Sequence, residues 1–440
     1  MKYDAIFIGF GQGTESLVRS LTEKKWKMAV IEKNDESSYG GSCINIGCIP
    51  TKIYEHDSKH GKNYSESVER RHAVVSKRSQ AEKEAMEQND QVDLYTGTGS
   101  FIDNHTVKVE TETDSYELKA DYIVIDTGSE PVMPPIDGLN ETENIYTSTT
   151  LQVQKELPES LGIIGGGNIG LEFASIYQNF GSKVTVIESE KKILAHEEPE
   201  VASEVVKVLK DKGIALETGL DVNKVANKDD KVVVTADDGS EFTFDALLIA
   251  AGRKPHVKSL DLENTDIQLT EQGGIETNQH LETTVDGIFA LGDVRGKEQF
   301  TYITNKDAEI VYNYLLEDGQ ILLADRKNVP YSIFIDPSFA RVGLTEQEAK
   351  DKEYQVITNT AKVSSIPRAD IINDDRGLYK AVINKKNNEI LGVTLFGDQA
   401  HELVNFVKLA MDNDLPYTVF KNQMMTHPVM SEIFNTLFDI

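Results

Sequence analysis

The run Gly9-Phe10-Gly11-Gln12-Gly13-Thr14 decides the fold through its position between two apolar segments. Residues 3–8 before it are typical of a buried parallel strand, and residues 15–24 after it have the pattern of an amphipathic helix. A second strand is predicted over residues 27–31 and leads to Glu32. This order predicts a βαβ unit that binds a dinucleotide, with glycines and the helix N-terminus at the pyrophosphate and the acid at the ribose hydroxyls. The run ends on threonine where the usual pattern has its third glycine.

The same arrangement occurs again around the turn Gly165-Gly166-Gly167-Asn168-Ile169-Gly170. A strand is predicted over residues 161–164, a helix over 171–180, and a second strand over 183–187 that leads to Glu188. Both fingerprints cover 23 positions from the first glycine to the acid. We therefore predict two dinucleotide sites and electron transfer between two nucleotides. The alternative is one site and a degenerate structural copy.

Two further turns indicate that the repeat covers whole domains. Asp126-Thr127-Gly128-Ser129-Glu130-Pro131 follows one predicted strand, and Ala250-Ala251-Gly252-Arg253-Lys254-Pro255 follows the strand over residues 246–249. A third strand ends in Gly292-Asp293, where the acid could bind a polyhydroxyl chain or could equally be a loop acid or helix cap. The predicted fold class is therefore α/β, with two Rossmann-like domains.

The remaining segments have weaker patterns. Residues 53–90 are polar with helical spacing, and alternation over residues 95–109 and 116–125 indicates antiparallel strands. Near the C-terminus a hairpin is predicted over residues 380–395 and a helix over 402–411.

Both cysteines of the chain lie in one run, Gly40-Gly41-Ser42-Cys43-Ile44-Asn45-Ile46-Gly47-Cys48-Ile49-Pro50-Thr51-Lys52. A helical turn between them would let the two thiols meet, and a bridge that closes so short a loop removes little entropy from the unfolded chain. We therefore predict a disulfide that opens and closes. Ser42 is the predicted N-cap, which would place the thiols near a positive helix end that favours thiolate.

Two other readings of the cysteines are less favoured. A structural disulfide does not suit a chain of this size with no other cysteine. Zinc is suggested by His56 and His60, but the gap from cysteine to histidine is short and Pro50 intervenes, so no metal site is predicted.

Composition narrows the class of protein. The 440 residues suggest two to four domains, and 73 acidic against 45 basic residues give a net charge of −28, which disfavours nucleic acid and anionic membranes as partners. The N-terminus goes directly into a strand, and no apolar run has the length of a membrane span. With two cysteines and no export signal, a cytoplasmic protein is predicted.

The end of the chain carries a candidate acid–base pair. His427 precedes Pro428, and Glu432 follows at a spacing that could orient the imidazole. A lone histidine is more often a packed or capped residue than a catalyst.

These features together resemble the flavoprotein disulfide reductases, which include dihydrolipoamide dehydrogenase, glutathione reductase and mercuric reductase. The resemblance runs the full length, and the Cys-x4-Cys-x-Pro-x-Lys run is its most specific part. It implies an FAD-binding domain over residues 1–145 and 256–328, an NAD(P)H-binding domain over 146–255 and a dimerisation domain over 329–440. It also implies a homodimer.

The resemblance implies roles for individual residues. Cys48 would face the flavin as the charge-transfer thiolate, and Cys43 would be the interchange thiol that meets the substrate. Lys52, paired with Glu172, would lie by flavin N5. His427, oriented by Glu432, would be the acid–base group of the other subunit. The residues expected at the two cofactors are Gly9, Gly11, Gly13, Thr14, Glu32, Lys33, Gly41, Ser42, Lys52, Thr127, Gly128, Gly292, Asp293, Gly165, Gly167, Asn168, Gly170, Glu188, Gly252 and Arg253.

Nucleotide and substrate preferences are predicted less sharply. Glu188 favours NADH by repelling a 2′-phosphate, although Lys191 and Lys192 follow closely and reduce this to a lean. Asn168 stands where the family often has an aromatic gate over the flavin. The C-terminus has no second cysteine pair, which disfavours mercury chemistry.

The wording of the cysteine run is most similar to the oxidant-defence branch, whose recognised activity is reduction of hypothiocyanous acid, and this small oxidant is the predicted substrate. Alternatives are a dihydrolipoamide dehydrogenase-like disulfide reductase, a flavin-bound redox sensor and a zinc-binding scaffold.

Overall fold

The computed structural model describes residues 1–33 and 39–440. Its strands are β1 Lys2–Ile8, β2 Met28–Glu32, β3 Val92–Thr96, β4 Thr98–Asp103, β5 Thr106–Glu110, β6 Ser115–Ile125, β7 Ser129–Pro131, β8 Ile145–Thr147, β9 Ser160–Ile164, β10 Lys183–Glu188, β11 Ala215–Thr218, β12 Val222–Lys228, β13 Lys231–Ala236, β14 Glu241–Phe244, β15 Ala246–Ile249, β16 Arg253–Pro255, β17 Ile288–Ala290, β18 Tyr331–Ile333, β19 Phe339–Gly343, β20 Val356–Lys362, β21 Leu378–Asn384 and β22 Ile390–Phe396. Its α-helices are α1 Gln12–Thr22, α2 Gly41–Asn45, α3 Cys48–Lys59, α4 Tyr64–Glu87, α5 Ser148–Leu151, α6 Asn168–Phe180, α7 Pro199–Asp211, α8 Thr301–Leu316, α9 Glu346–Asp351, α10 Pro367–Ile372, α11 Ala400–Asp412, α12 Thr418–Lys421 and α13 Ile433–Leu437.

The chain divides into two compact units. Unit 1 contains residues 1–54, 66–132 and 252–326, and unit 2 contains residues 55–65, 133–251 and 327–440. The domain boundaries given above from the resemblance stay a prediction.

Unit 1 is organised around a sheet with the strand order β3-β2-β1-β6-β5-β4, on which β17 also pairs with β6. Both faces of its centre are covered. Ile6 and Ile8 of β1 pack into one apolar cluster, while Ala5 and Phe7 pack into the other together with Leu17 of α1. A parallel strand that is buried on both sides needs a continuous apolar sequence, which is why residues 3–8 lack alternation.

Part of the sheet differs from its prediction. β3, which contains Tyr95, is parallel to β2, and β6 is antiparallel to β5 only over its first half and parallel to β1 from Lys119 onward. The expectation that all of residues 95–109 and 116–125 are antiparallel was therefore wrong. Alternation reports a half-exposed face, and β3 has one because it lies at the sheet edge.

Unit 2 repeats the parallel arrangement and adds two further sheets. Its first sheet has the order β11-β10-β9-β15-β8 and is parallel throughout. The strands β12-β13-β14 form an antiparallel sheet, and the C-terminal strands form another in the order β18-β19-β22-β21-β20. The predicted α/β fold class is confirmed, and the predicted hairpin is β21–β22.

Ionic and backbone contacts within unit 2 connect the second nucleotide region to the C-terminal sheet. Lys380, which is 2% exposed, forms salt bridges to Glu198 at 2.8 Å, Glu200 at 3.1 Å and Glu346 at 2.7 Å. The backbone N–H of Phe334 donates to Glu172 Oε1 at 2.8 Å. A buried lysine needs such partners, since an unpaired charge would be strongly destabilising.

Within the described residues, no helix has both the length and the apolar character needed to cross a membrane.

Candidate active site

The first fingerprint forms a backbone cradle at the N-terminus of α1. Gly9 has a φ of +99°, and an added Cβ there would overlap the carbonyl oxygen of Asp126. The cap residue Gly11 offers no side-chain acceptor, so the amides of the first turn are not capped by it. Glu32 ends β2, and its Oε2 accepts the backbone N–H of Phe10 at 2.9 Å. The sequence therefore folds these residues into one turn suited to an anionic ligand.

Thr14 fills the third glycine position through a buried polar contact. Its backbone N–H donates to Asp126 Oδ2 at 2.9 Å, and its hydroxyl lies 2.9 Å from the Gly9 carbonyl oxygen and 3.1 Å from the same carboxyl oxygen. Sequence reasoning missed Asp126, because its only local signal was its position after a strand.

A second group of contacts lies around Asp293. Ser129 Oγ donates to Asp293 Oδ2 at 2.7 Å, and Arg253 Nε donates to Ser129 Oγ at 2.8 Å. Burial raises the pKa of Asp293, partly offset by the Ser129 hydrogen bond and the Arg253 charge. The structure thus brings Arg253 and Asp293 together through Ser129, which the sequence analysis had not assigned.

The rim of this unit carries a cationic side chain near a histidine. Lys33 Nζ lies 3.3 Å from both ring nitrogens of His256, whose carbonyl oxygen accepts the Thr127 hydroxyl at 2.7 Å. Burial, followed by the charge of Lys33, lowers the pKa of His256. His256 was missed because a single histidine after a turn has no distinguishing pattern.

The second fingerprint has the same frame in unit 2. Gly165 has a φ of +108°, and a Cβ there would overlap the carbonyl oxygen of Ala250. Glu188 Oε2 accepts the backbone N–H of Gly166 at 2.5 Å. At Gly170 a Cβ would overlap the Gly165 carbonyl oxygen, so helix α6 approaches the turn as closely as glycine allows.

Asn168 begins α6, and its neighbour Gly167 has open space around its Cβ position. Gly252, at a φ of +102°, likewise meets nothing within 4 Å, as does Gly128 at +69°. These positions leave the turns open to a ligand. Whether Asn168 changes the gate over the flavin stays a prediction.

The cysteine run forms two helices joined by a tight bend. The predicted N-cap Ser42 is wrong, because the cap residue of α2 is Gly40 in a left-handed conformation and Ser42 lies inside the helix. Gly41 also has a positive φ of 70°, and a Cβ there would lie 2.9 Å from Gly11 Cα. This close approach to the first fingerprint demands glycine and overrides the capping preference of serine.

The bend places the second cysteine at a new helix start. Gly47 N–H donates to the Ser42 carbonyl oxygen at 2.6 Å, and α3 begins at Cys48. Asn45 holds the first helix, with its Nδ2 donating to the carbonyl oxygens of Tyr39 and Gly41, both at 2.9 Å. The two thiols are therefore brought together by a helix–bend–helix element rather than by one helical turn.

The two cysteines are not bridged in the structure, and their side chains are hydrogen-bonded to each other. The hydrogen bond to Cys48, followed by burial, raises the pKa of Cys43, which is opposite in direction to the effect predicted for a helix N-terminus. The Thr301 hydroxyl, at the start of the 16-residue helix α8, lies 3.5 Å from Cys48 Sγ and acts in the opposite direction by lowering the pKa of Cys43. Thr301 was missed because it is 253 positions from Cys48.

In unit 2 the predicted histidine–glutamate pair is in contact. His427 Nδ1 lies 2.8 Å from Glu432 Oε1, and Glu432 Oε2 accepts the Val429 N–H at 2.8 Å. The hydrogen bond from His427 holds the pKa of Glu432 below its usual range. The imidazole is 65% exposed, so its other nitrogen is open to a substrate or a second chain.

Two predicted residues are described within separate units. Lys52 lies in unit 1, where its Nζ donates to Thr51 Oγ1 at 3.4 Å, and Glu172 lies in unit 2 on α6. Their pairing therefore stays a prediction. The described residues contain no group of three or more histidine, cysteine, aspartate or glutamate side chains arranged to hold a metal ion.

The glycine cradles provide a test of whether dinucleotides fit. At both first glycines, a side chain would collide with the carbonyl oxygen of the residue after a neighbouring strand, Asp126 after β6 and Ala250 after β15, while the turn itself lies at a helix N-terminus. This is the geometry that lets a backbone approach a pyrophosphate. The residues present therefore fit a dinucleotide at each of the two turns, and the assignment of FAD to unit 1 and of the nicotinamide nucleotide to unit 2 stays a prediction.

Comparisons with known proteins agree with this geometry. Residues 3–309 match the pyridine nucleotide-disulphide oxidoreductase family, and residues 329–438 match its dimerisation domain. The probable pyridine nucleotide-disulfide oxidoreductase RclA of Escherichia coli is 40% identical over 100% of this chain and 99% of its own length. A dihydrolipoyl dehydrogenase of Corynebacterium glutamicum is 30% identical over 98% of this chain and 96% of its own.

Among solved structures, the Cu(II) complex of the HOCl-induced flavoprotein disulfide reductase RclA from Escherichia coli matches with a TM-score of 0.97 and 40% identity, covering 100% of this chain and 99% of that one.

Proposed function

Because the chain belongs to the pyridine nucleotide-disulphide oxidoreductase family, we propose that it passes electrons from NAD(P)H through FAD to Cys43 and Cys48, and from there to a small oxidant. Hypothiocyanous acid is the proposed oxidant. The observation that carries the proposal is the hydrogen-bonded pair of thiols, one half-buried and one exposed, beside the N-terminus of α8. A bound FAD would supply the two-electron transfer between the nicotinamide and the disulfide.

The oxidant half of the reaction uses the two sulfurs in sequence. The Cys43 thiolate attacks the electrophilic sulfur of hypothiocyanous acid. A bond forms between Cys43 Sγ and the sulfur of the SCN group, the S–O bond breaks, and hydroxide is released. The Cys48 thiolate then attacks the Cys43 sulfur, reforming the disulfide and releasing thiocyanate. The dithiol loses two electrons and the oxidant gains them, so that one thiocyanate and one water leave for each disulfide formed.

Proton supply is the proposed task of the C-terminal pair. Glu432, kept anionic, stabilises the imidazolium of His427, which protonates the leaving hydroxide to water. We propose that a second subunit of a homodimer supplies this histidine, which the matched dimerisation domain supports. The raised pKa of the Cys43 thiol means that such a base also has to remove its proton before attack.

The choice of a small oxidant rests on chemistry and on the relatives. RclA of Escherichia coli is described as HOCl-induced. Hypochlorous and hypothiocyanous acids are both small neutral electrophiles that react with thiolates, so a related site suits either. We further propose a cytoplasmic location. A lean to NADH is also proposed, because Glu188 ends β10 and its charge would repel a 2′-phosphate.

A substrate panel on the purified protein tests the proposal. We expect sustained NAD(P)H oxidation with hypothiocyanous acid at a kcat/KM at least about tenfold above that with lipoamide or glutathione disulfide, a difference of about 1.4 kcal/mol. Cys43→Ser is expected to lower this activity to background. Cys48→Ser is the matched control, because it retains the attacking thiol and should consume one equivalent of oxidant without releasing thiocyanate or completing a turnover.

Two outcomes would change the assignment. Faster turnover with lipoamide would favour a dihydrolipoyl dehydrogenase-like disulfide reductase, the activity of the relative that is 30% identical. Reduction by NADH in one turnover, with no sustained consumption for any oxidant, would favour a redox sensor.

A further inference from the structure

Asp126 is a buried acid that the proposed reaction does not use. It follows β6, and its carboxyl group lies under the first fingerprint, where Oδ2 accepts the Thr14 N–H at 2.9 Å. A Cβ atom added to Gly11 would lie 2.8 Å from the same Asp126 oxygen, and one added to Gly13 would lie 3.2 Å from it. The carboxyl group therefore hydrogen-bonds to Thr14 and occupies the space beside Gly11 and Gly13, in the turn that faces the expected pyrophosphate.

In the second fingerprint, the equivalent position of the turn is packed without polar side chains. There Gly170 approaches the Gly165 carbonyl oxygen directly, and the residue after the strand is Ala250. The first fingerprint instead holds a threonine and an aspartate, both almost completely buried. Thr14 and Asp126 thus occupy a space that is absent in unit 2, where Gly170 lets the helix lie directly against the turn.

The charges around Asp126 oppose its ionisation. Burial, together with the nearby Asp293 and Asp307, raises its pKa to about 7 against the opposing effect of the Thr14 hydrogen bonds. Asp307 is paired with Arg295 and Arg326, and Asp293 faces Arg253. The charged groups that contribute most to the shift of the Asp126 pKa, Asp293 and Asp307, are therefore both acids.

We propose that Asp126 is a positioning residue of the FAD site, which holds the pyrophosphate turn through Thr14 and does so as a neutral carboxylic acid. The proposal rests on the proposed FAD-dependent function. In a neutral acid, Oδ2 is the carbonyl oxygen that accepts the Thr14 N–H and the Thr14 hydroxyl, which also lies within reach of the Gly9 carbonyl oxygen, and the acid proton is carried by Oδ1. A carboxylate would instead place a second anion at the helix N-terminus and repel the pyrophosphate.

The sign of the pH dependence follows from this arrangement. Because FAD prefers the protonated acid, its affinity is complete below pH 7 and falls as the pH rises through 7. The limiting slope is about tenfold in the dissociation constant for each pH unit, since one proton is released.

The test is the FAD dissociation constant, measured by flavin fluorescence on the purified holoenzyme and its diluted or stripped form from pH 5.5 to 8.5. Asp126→Asn keeps a carbonyl oxygen that accepts both Thr14 donors and carries no titratable proton, so we expect affinity close to the wild-type value at pH 6 and loss of the slope above pH 7. Asp126→Ala leaves the Thr14 N–H unpaired, and we expect about tenfold weaker binding.

The double variant Thr14→Gly/Asp126→Ala copies the pair of the second fingerprint and is expected to recover most of the affinity lost in Asp126→Ala, without the slope. A wild-type affinity that is independent of pH, or the same slope in Asp126→Asn, would overturn the inference while leaving FAD dependence intact. Failure of the wild-type protein to bind FAD at any pH would instead refute the proposed function.

Discussion

The two fingerprints of this chain share a frame and differ in how the helix packs against the turn. In each, the first glycine has a positive φ, +99° at Gly9 and +108° at Gly165, and packs against the carbonyl oxygen after the neighbouring strand. In each, the acid at the end of the second strand accepts the N–H of the residue after that glycine, Glu32 from Phe10 and Glu188 from Gly166. The shared features are those that a sequence pattern can encode.

The difference lies where helix and turn meet. Unit 2 uses the missing side chain of Gly170 to bring backbone against backbone, whereas unit 1 uses the hydrogen bonds of Thr14 and Asp126. A close backbone approach and a buried polar pair therefore build the same turn. Glycine is therefore necessary at the third fingerprint position only where the helix packs directly against the turn, as at Gly170.

The first glycines give the largest expected effects and can break the comparison. Gly165→Ala should cost about 3 kcal/mol locally, because it combines a left-handed conformation with an overlap on a carbonyl oxygen. We expect the variant to purify with flavin but to lose NAD(P)H-driven flavin reduction by at least about 100-fold. Gly9→Ala should have the complementary effect and purify without flavin. Flavin content from the visible spectrum and stopped-flow reduction with NADH are the measurements.

If both variants lost flavin equally, the two turns would not serve separate nucleotides. The reading of the second fingerprint as a degenerate structural copy would then be favoured.

The third position gives an intermediate effect that should differ between the two units. Gly170→Ala forces a Cβ into the Gly165 carbonyl oxygen and should cost about 1–3 kcal/mol, read as a rise in the KM for NADH. Thr14→Ala removes the hydroxyl and one methyl group but keeps the backbone N–H on Asp126, so about 1 kcal/mol is expected, read as weaker FAD binding. If Gly170→Ala and Thr14→Ala weakened nucleotide binding by the same free energy, the distinction between steric packing in unit 2 and polar packing in unit 1 would be contradicted.

Local patterns were enough to predict the frame of both sites. Glycines, helix and terminal acid lie within one short segment, so their spacing is visible in the sequence, and the cysteine run is equally compact. His427 and Glu432, five positions apart, were paired for the same reason. The β3 strand shows the limit of such patterns, because alternation marks an exposed face and not the direction of the neighbouring strand.

Contacts between distant segments were not predictable. Thr14 and Asp126 are 112 positions apart, Ser129 and Asp293 are 164 apart, and Cys48 and Thr301 are 253 apart. No periodicity links such residues, since the fold alone brings them together. The error at Ser42 has the same origin: the packing of Gly41 against Gly11 decides where α2 begins, and a local capping preference cannot report it.

The acids at the strand ends give the smallest expected effect and sharpen the comparison. Glu188→Gln keeps an acceptor for the Gly166 N–H but removes the charge that repels a 2′-phosphate. We expect the KM for NADPH to fall about threefold to tenfold and the KM for NADH to rise less than about threefold. Each change corresponds to about 1.4 kcal/mol or less.

Glu32→Gln is the matched control in unit 1, where the Phe10 N–H takes the place of the Gly166 N–H. It should weaken FAD binding without changing the NADPH to NADH ratio. A shift of that ratio in the control, or no shift in Glu188→Gln, would show that nucleotide choice is made elsewhere, for which Lys191 and Lys192 are the adjacent candidates.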